Sequence, residues 1–146
     1  MDYRVLARKK LKDFNKINAS IYNLEERIAE LNNILLKLDE TLKDNKFLEN
    51  KKTVLKKTRN RTILAEIEQL SQILIYRKSE LRRIKRAFNS LAPNQQLILD
   101  KFYRNYEPNY LFKLMNELGY ERRSIYYRKD QALRDFTLAM YGIIDA

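Results

Sequence analysis

The sequence predicts an all-α protein: a long antiparallel helical hairpin over residues 1–92, then a three-helix module over 93–146. Three observations carry this. The first 92 residues contain no glycine and no proline, so nothing in them breaks a long helix. Two apolar seams with spacings of three and four run through that segment. All four helix breakers, Pro93, Pro108, Gly119 and Gly142, fall in the last third, where shorter helices and turns are expected.

The first seam is Phe14, Ile17, Ile21, Leu24, Ile28, Leu31, Leu35, Leu38 and Leu42, the a/d pattern of a coiled coil. The second is Ile63, Ile67, Leu70, Leu74, Arg77, Leu81, Ile84, Phe88 and Leu91, interrupted only by Arg77. Each spans 29 residues, roughly 43 Å of helix. Equal lengths predict an antiparallel pair with Phe14 and Phe88 at one end. An intermolecular coiled coil is the alternative, since isoleucine at a with leucine at d suits two parallel strands. Residues 43–62 are polar and lysine-rich and read as the connector, with a turn candidate at Asp44–Asn45. Ile73 and Ile75 fall off the seam and are expected as apolar surface supporting a homodimer.

A helix from about Pro93 to Asn105 opens the second part, with Pro93 suited to a first helical position. Leu97, Ile98, Phe102 and Tyr103 are its covering residues. Pro108 breaks the chain. Leu111, Leu114, Met115 and Leu118 then lie at helical spacing, and Gly119 is the residue best able to end that helix in the left-handed conformation. The last helix sets Ile125, Ala132, Leu133 and Phe136 on one face and Arg123, Tyr127, Asp130 and Arg134 on the other. A short helix, a glycine turn and a longer helix opening on arginines is the geometry that places side chains in a major groove.

Composition narrows the function. Thirty basic against nineteen acidic residues give a net charge of +11, which favours an anionic partner. Residues 1–92 hold 22 basic and 12 acidic residues, and residues 93–146 hold 8 and 7. Histidine and cysteine are absent, removing the usual zinc ligands, the commonest general base and any thiol nucleophile. The adjacent pairs Glu25–Glu26 and Asp39–Glu40 do not face each other on a helix. A non-enzyme without a cofactor is expected. No apolar leader follows Met1 and no run of 18 apolar residues occurs, so no membrane association and a cytoplasmic location in a bacterial host cell are expected.

The expected partner is double-stranded DNA. Arg123 and Tyr127 are the candidate base readers, since arginine binds guanine bidentately and a tyrosine ring can meet a thymine methyl. Arg122, Tyr126, Arg128, Asp130 and Arg134 complete the reading helix. Ser124 is expected to accept hydrogen bonds from first-turn amides. Arg82, Arg83 and Arg86, with Arg77, Lys78 and Lys85, are expected to grip phosphates beside that helix. Tyr103, Tyr106, Tyr110 and Tyr120 are expected to pack the small core with their hydroxyls at its edge.

The segment from Leu91 to Gly142 resembles the sigma-70 region 4-like helix-turn-helix of phage late transcription regulators of the ArpU and RinA type. The resemblance rests on Leu91-x-Pro93, Phe102–Tyr103, Leu118–Gly119–Tyr120, Ser124–Ile125–Tyr126, Ala132–Leu133 and Met140–Tyr141–Gly142. It departs at Tyr127, where that family commonly has arginine. The resemblance implies a phage or prophage activator that binds promoter DNA of a late operon, with RNA polymerase as a further partner. Two alternatives stand beside it: a small-terminase-like DNA packaging adaptor, and a protein-interaction module whose coiled coil is the working part.

Overall fold

The computed structural model describes the backbone of residues 1–44 and 50–146, and the side chains of 1–38 and 56–146. The described residues are helical almost throughout. Helix α1 spans Tyr3–Asp44 and α2 spans Asn50–Asn89. Helix α3, Pro93–Leu99, runs on into a wider turn over Asp100–Arg104, and α4 and α5 occupy Tyr110–Leu118 and Arg122–Tyr141.

Two long helices follow from a chain stretch with nothing to interrupt it. The connector expected over 43–62 is therefore a correction: α1 continues to Asp44 and α2 is already helical from Asn50. Lysine and arginine are good helix formers, so a polar, basic composition did not imply a loop. Asn45, half of the turn candidate, and the Leu42 side chain lie outside the described residues.

The chain forms two compact units, Met1–Asn18 with Ser79–Ala146, and Ala19–Lys78. The boundary expected at residue 92 is thus not where the compact units divide. Pro93 opens α3 without ending the packing, and the first turns of α1 and the last turns of α2 belong to the unit that holds α3, α4 and α5.

In the Ala19–Lys78 unit, Ile21, Leu31 and Ile63 are buried, while Leu24, Ile28, Leu35, Leu38, Ile67, Leu70 and Leu74 are half-buried. These are the two seams. Lys78 pairs with Glu25 at 2.8 Å and Arg27 with Glu66 at 3.4 Å, so position rises on one segment as it falls on the other. The pairing is antiparallel and within one chain.

The other unit buries Ala7, Leu11, Phe14 and Ile17 from α1, Leu81, Ile84, Ala87 and Phe88 from α2, and Ala132, Leu133 and Phe136 from α5. Lys10 forms an ion pair with Glu80, whose side chain is 8% exposed. Phe14 and Phe88 do lie at one end: the Arg104 guanidinium covers both rings, at 5.0 and 4.3 Å from their centroids. Asn15 reaches the same place, donating to the Arg104 carbonyl at 3.1 Å and to Asn105 Oδ1 at 3.0 Å. Asp2 and Asp145 form a short antiparallel bridge, with Tyr3 N–H donating to the Ile144 carbonyl at 2.9 Å.

The helix expected from Pro93 to Asn105 is present, with a difference in its last turn. The Asn105 N–H donates to the Asp100 carbonyl at 2.7 Å, an i→i+5 bond that widens the turn. Asp100 supports it by accepting from Arg104 Nε at 2.7 Å and from Asn105 Nδ2 at 2.8 Å. That wider turn presents Arg104 to the two phenylalanines.

Candidate nucleic-acid interface

The core behind the expected reading helix consists of Ile98 from α3, Leu114 from α4 and Ile125 from α5. Leu97, Phe102, Tyr110, Leu111, Met115, Leu118 and Tyr120 pack against it. Gly119 ends α4 at φ 70°, ψ 24°, its N–H donating to the Met115 carbonyl at 2.9 Å. The chain then turns within three residues into α5. Gln95 joins α3 to α5, accepting from the Ala92 N–H at 3.0 Å and donating to Asp135 Oδ2 at 2.7 Å. A short helix, a glycine turn and a longer helix braced from behind are what the sequence predicts.

On α5, Ile125, Ala132, Leu133 and Phe136 are buried. Arg123, Tyr127, Asp130 and Arg134 are all exposed, with Tyr127 at 66%. Their spacing of four, three and four keeps them in one stripe, roughly 16 Å long at the helical rise. Arg123 and Arg134 have no ion-pair partner among the described residues. Asp130 is paired with Lys129 at 3.2 Å, which offsets its repulsion of a phosphate backbone.

The remaining predicted residues divide by what they touch. Arg122 lies 5.9 Å from the Tyr126 ring centroid. Tyr126 is half-buried, edge-on to Phe102 at 5.8 Å. The neighbouring Tyr126 hydroxyl raises the Tyr110 pKa, and Tyr110 with Arg122 lowers that of Tyr126. Tyr126 thus fastens α5 to α4. Arg128 is exposed, yet its guanidinium lies 3.7 Å over the Tyr120 ring and its Nε donates to Ser124 Oγ at 3.3 Å. Arg128 is committed to the turn.

Three expectations are corrected here. Ser124 does not cap α5: Glu121 stands at the cap and Ser124 one turn in, where its hydroxyl meets Arg128 rather than a backbone amide. Tyr106 is 63% exposed, its ring 5.3 Å from that of Tyr110 between centroids. Arg82, Arg83 and Arg86 are exposed, but Arg83 and Arg86 face Ala139 and Met140 at the far end of α5. At 1.5 Å per residue that is roughly 25 Å from Arg123. α5 runs unbroken for 20 residues, so its two ends serve different surroundings.

Two residues were not anticipated. Asn94 and Gln131 line a cleft of about 130 Å³ together with Gln95, Ile98, Tyr127 and Arg128. Gln131 follows Tyr127 by one helical turn and is exposed on the same side. Its four-residue spacing from Tyr127 was the available signal. Asn94 is brought there by α3, which no local pattern announces.

Among the described residues no helix is long and apolar enough to cross a membrane. Comparisons with protein-family models, curated proteins and solved structures find no match to this chain.

Proposed function

We propose that the protein is a sequence-specific DNA-binding transcriptional regulator that inserts the first half of α5 into a major groove. The observation that carries this reading is the exposed stripe Arg123–Tyr127–Asp130–Arg134 on a helix that follows a left-handed glycine turn and is braced by α3. Arg123 and Tyr127, with Gln131 beside them, are the base readers. Arg134 and Arg122 hold phosphates. The resemblance to phage late regulators extends the proposal to a prophage or phage operon activator in the bacterial cytoplasm, with RNA polymerase as a partner. Exposed Ile75, Leu64 and Tyr76 in the Ala19–Lys78 unit are the apolar surface offered to a second copy in a homodimer.

The basic balance of the chain supports the electrostatic part. Each phosphate neutralised releases counterions, so affinity falls with salt at a slope of about −0.9 per contact. Titration of a labelled duplex at several salt concentrations, with the wild type and an Arg123→Ala/Arg134→Ala variant, tests the reading. The variant is expected to bind at least about tenfold more weakly and to lose roughly one unit of salt slope, from the Arg134 phosphate contact. Unchanged affinity in the variant would overturn it and favour a protein-interaction role.

A packaging adaptor remains the second reading, because it too would use a stripe of this kind. It predicts rings larger than a dimer in sedimentation and preference for packaging-site DNA.

A further inference from the structure

Arg83, Arg86, Ala87 and Ser90, on the last turns of α2, line a cleft of about 260 Å³ with Ala139 and Met140 on the last turns of α5. We propose that this cleft docks an acidic segment of a partner protein. An apolar side chain of the segment rests on Ala87, Ala139 and Met140, and its carboxylates meet Arg83 and Arg86.

The size suits one anchoring side chain, since it lies below the roughly 300–1,000 Å³ of small-molecule pockets. The lining suits an amphipathic visitor. Methionine adapts its shape to what it packs against, and the two alanines leave room. Arg83 donates to Ser79 Oγ at 3.2 Å, which uses only one of its five N–H donors. The guanidinium fork matches a carboxylate bidentately.

Charge complementarity selects an acidic partner. Between residues 79 and 90 the basic residues are Arg82, Arg83, Lys85 and Arg86, and the one acidic residue is Glu80. Glu80 is buried and paired with Lys10, so it does little to neutralise the rim. The end of α5 adds a partial negative charge of about half a unit, which leaves the two exposed guanidiniums with about one and a half positive charges in excess.

The direction of the cleft selects protein over DNA. Met140 lies 17 residues beyond Arg123, roughly 25 Å along the helix. Thirteen steps of about 100° also turn it about 140° away from Tyr127. A duplex held on the Arg123–Tyr127–Arg134 stripe therefore lies away from this cleft, and both partners can be bound together. The cleft gives the protein a second surface, independent of the first.

The test uses the full chain with its methionine methyl groups ¹³C-labelled. The probe is a fluorescein-labelled peptide of aspartate and glutamate residues around one leucine. The peptide is expected to shift the Met140 methyl signal and to bind at least about tenfold more weakly to an Arg83→Glu/Arg86→Glu variant. Arg83→Lys/Arg86→Lys should retain most of the binding, and Arg123→Ala/Arg134→Ala should retain all of it. Circular dichroism of the variants should match the wild type, as both arginines are exposed. An unmoved Met140 signal at peptide excess would overturn the proposal. So would equal weakening in the Arg123→Ala/Arg134→Ala variant, which marks diffuse charge attraction. A Met140 shift on adding duplex DNA instead of peptide would assign the cleft to phosphate contact.

Discussion

The guanidinium of Arg104 lies 4.3 Å over the ring of Phe88. The same group covers Phe14, and Asp100 holds it in place. One side chain from the turn after α3 thus closes over an aromatic ring from each of the two long helices. Its own side chain is only 25% exposed. Replacing Arg104 by alanine removes these cation–π contacts and is expected to cost about 1–2 kcal/mol. Lysine should recover part of this, because it keeps the charge but not the planar stack. Urea denaturation followed by circular dichroism checks it, and a loss below a few tenths of a kcal/mol would contradict the closing role.

Gly119 carries the turn that leads from α4 into α5. With φ at +70° and open space around an added Cβ, Gly119→Ala is penalised by backbone conformation alone, about 1–2 kcal/mol. Asparagine should cost less, since it tolerates the left-handed region better. Equal stabilities for glycine, alanine and asparagine in the same denaturation assay would show that the turn has another conformation.

Glu107 joins Lys101 at 3.1 Å and also pairs with Lys113, bracing the loop before α4. Both lysines hold its pKa below its ordinary value, and Glu107 in turn raises that of Lys101. A depressed carboxylate stabilises the fold above its unfolded pKa and loses that contribution as pH falls through its folded pKa. A raised lysine contributes below its unfolded pKa and loses it as pH rises through the folded one. Glu107→Gln should therefore flatten the acid and the alkaline limbs of a stability–pH curve while changing little of its shape between them. Curves that remain parallel throughout would contradict this.

Much of this fold is readable in the chain because apolar spacing and helix breakers act locally. Phe14, Ile17, Ile21 and Leu31 on one helix, and Ile63, Leu81, Ile84 and Phe88 on the other, are buried where a three-four spacing puts them, as is Leu91 just past the second helix. Gly119 ends α4 for the same local reason. What could not be read depends on distant partners. Ala7 and Leu11 are fully buried, though they precede the seam, because α1 packs inside the unit that contains α5. The wider turn at Asp100–Arg104 has no residue code. It is held by Asn15, some ninety positions away. Within the site, Arg123 and Arg128 look alike in sequence, and only the Tyr120 ring under Arg128 separates a free guanidinium from an occupied one.

Gln131 and Tyr127 share the exposed side of α5 one turn apart. A glutamine amide pairs with adenine N6 and N7, and a ring can meet the methyl of a thymine, each worth about 1–3 kcal/mol of discrimination. Gln131→Ala and Tyr127→Ala are expected to relax preference at separate base positions while reducing affinity for unrelated DNA little. Competition binding against singly substituted duplexes measures this. Uniform weakening on every sequence would reduce both residues to backbone contacts.

The most direct measurement is selection of bound duplexes from a random pool by the full chain, followed by titration of the enriched sequence. A regulator reading bases through α5 should enrich one motif and bind it about a thousandfold or more tightly than unselected DNA, with the preference lost in Arg123→Ala/Arg134→Ala. A pool that stays random, or a preference that survives in that variant, would contradict the assignment of α5 as the reading helix.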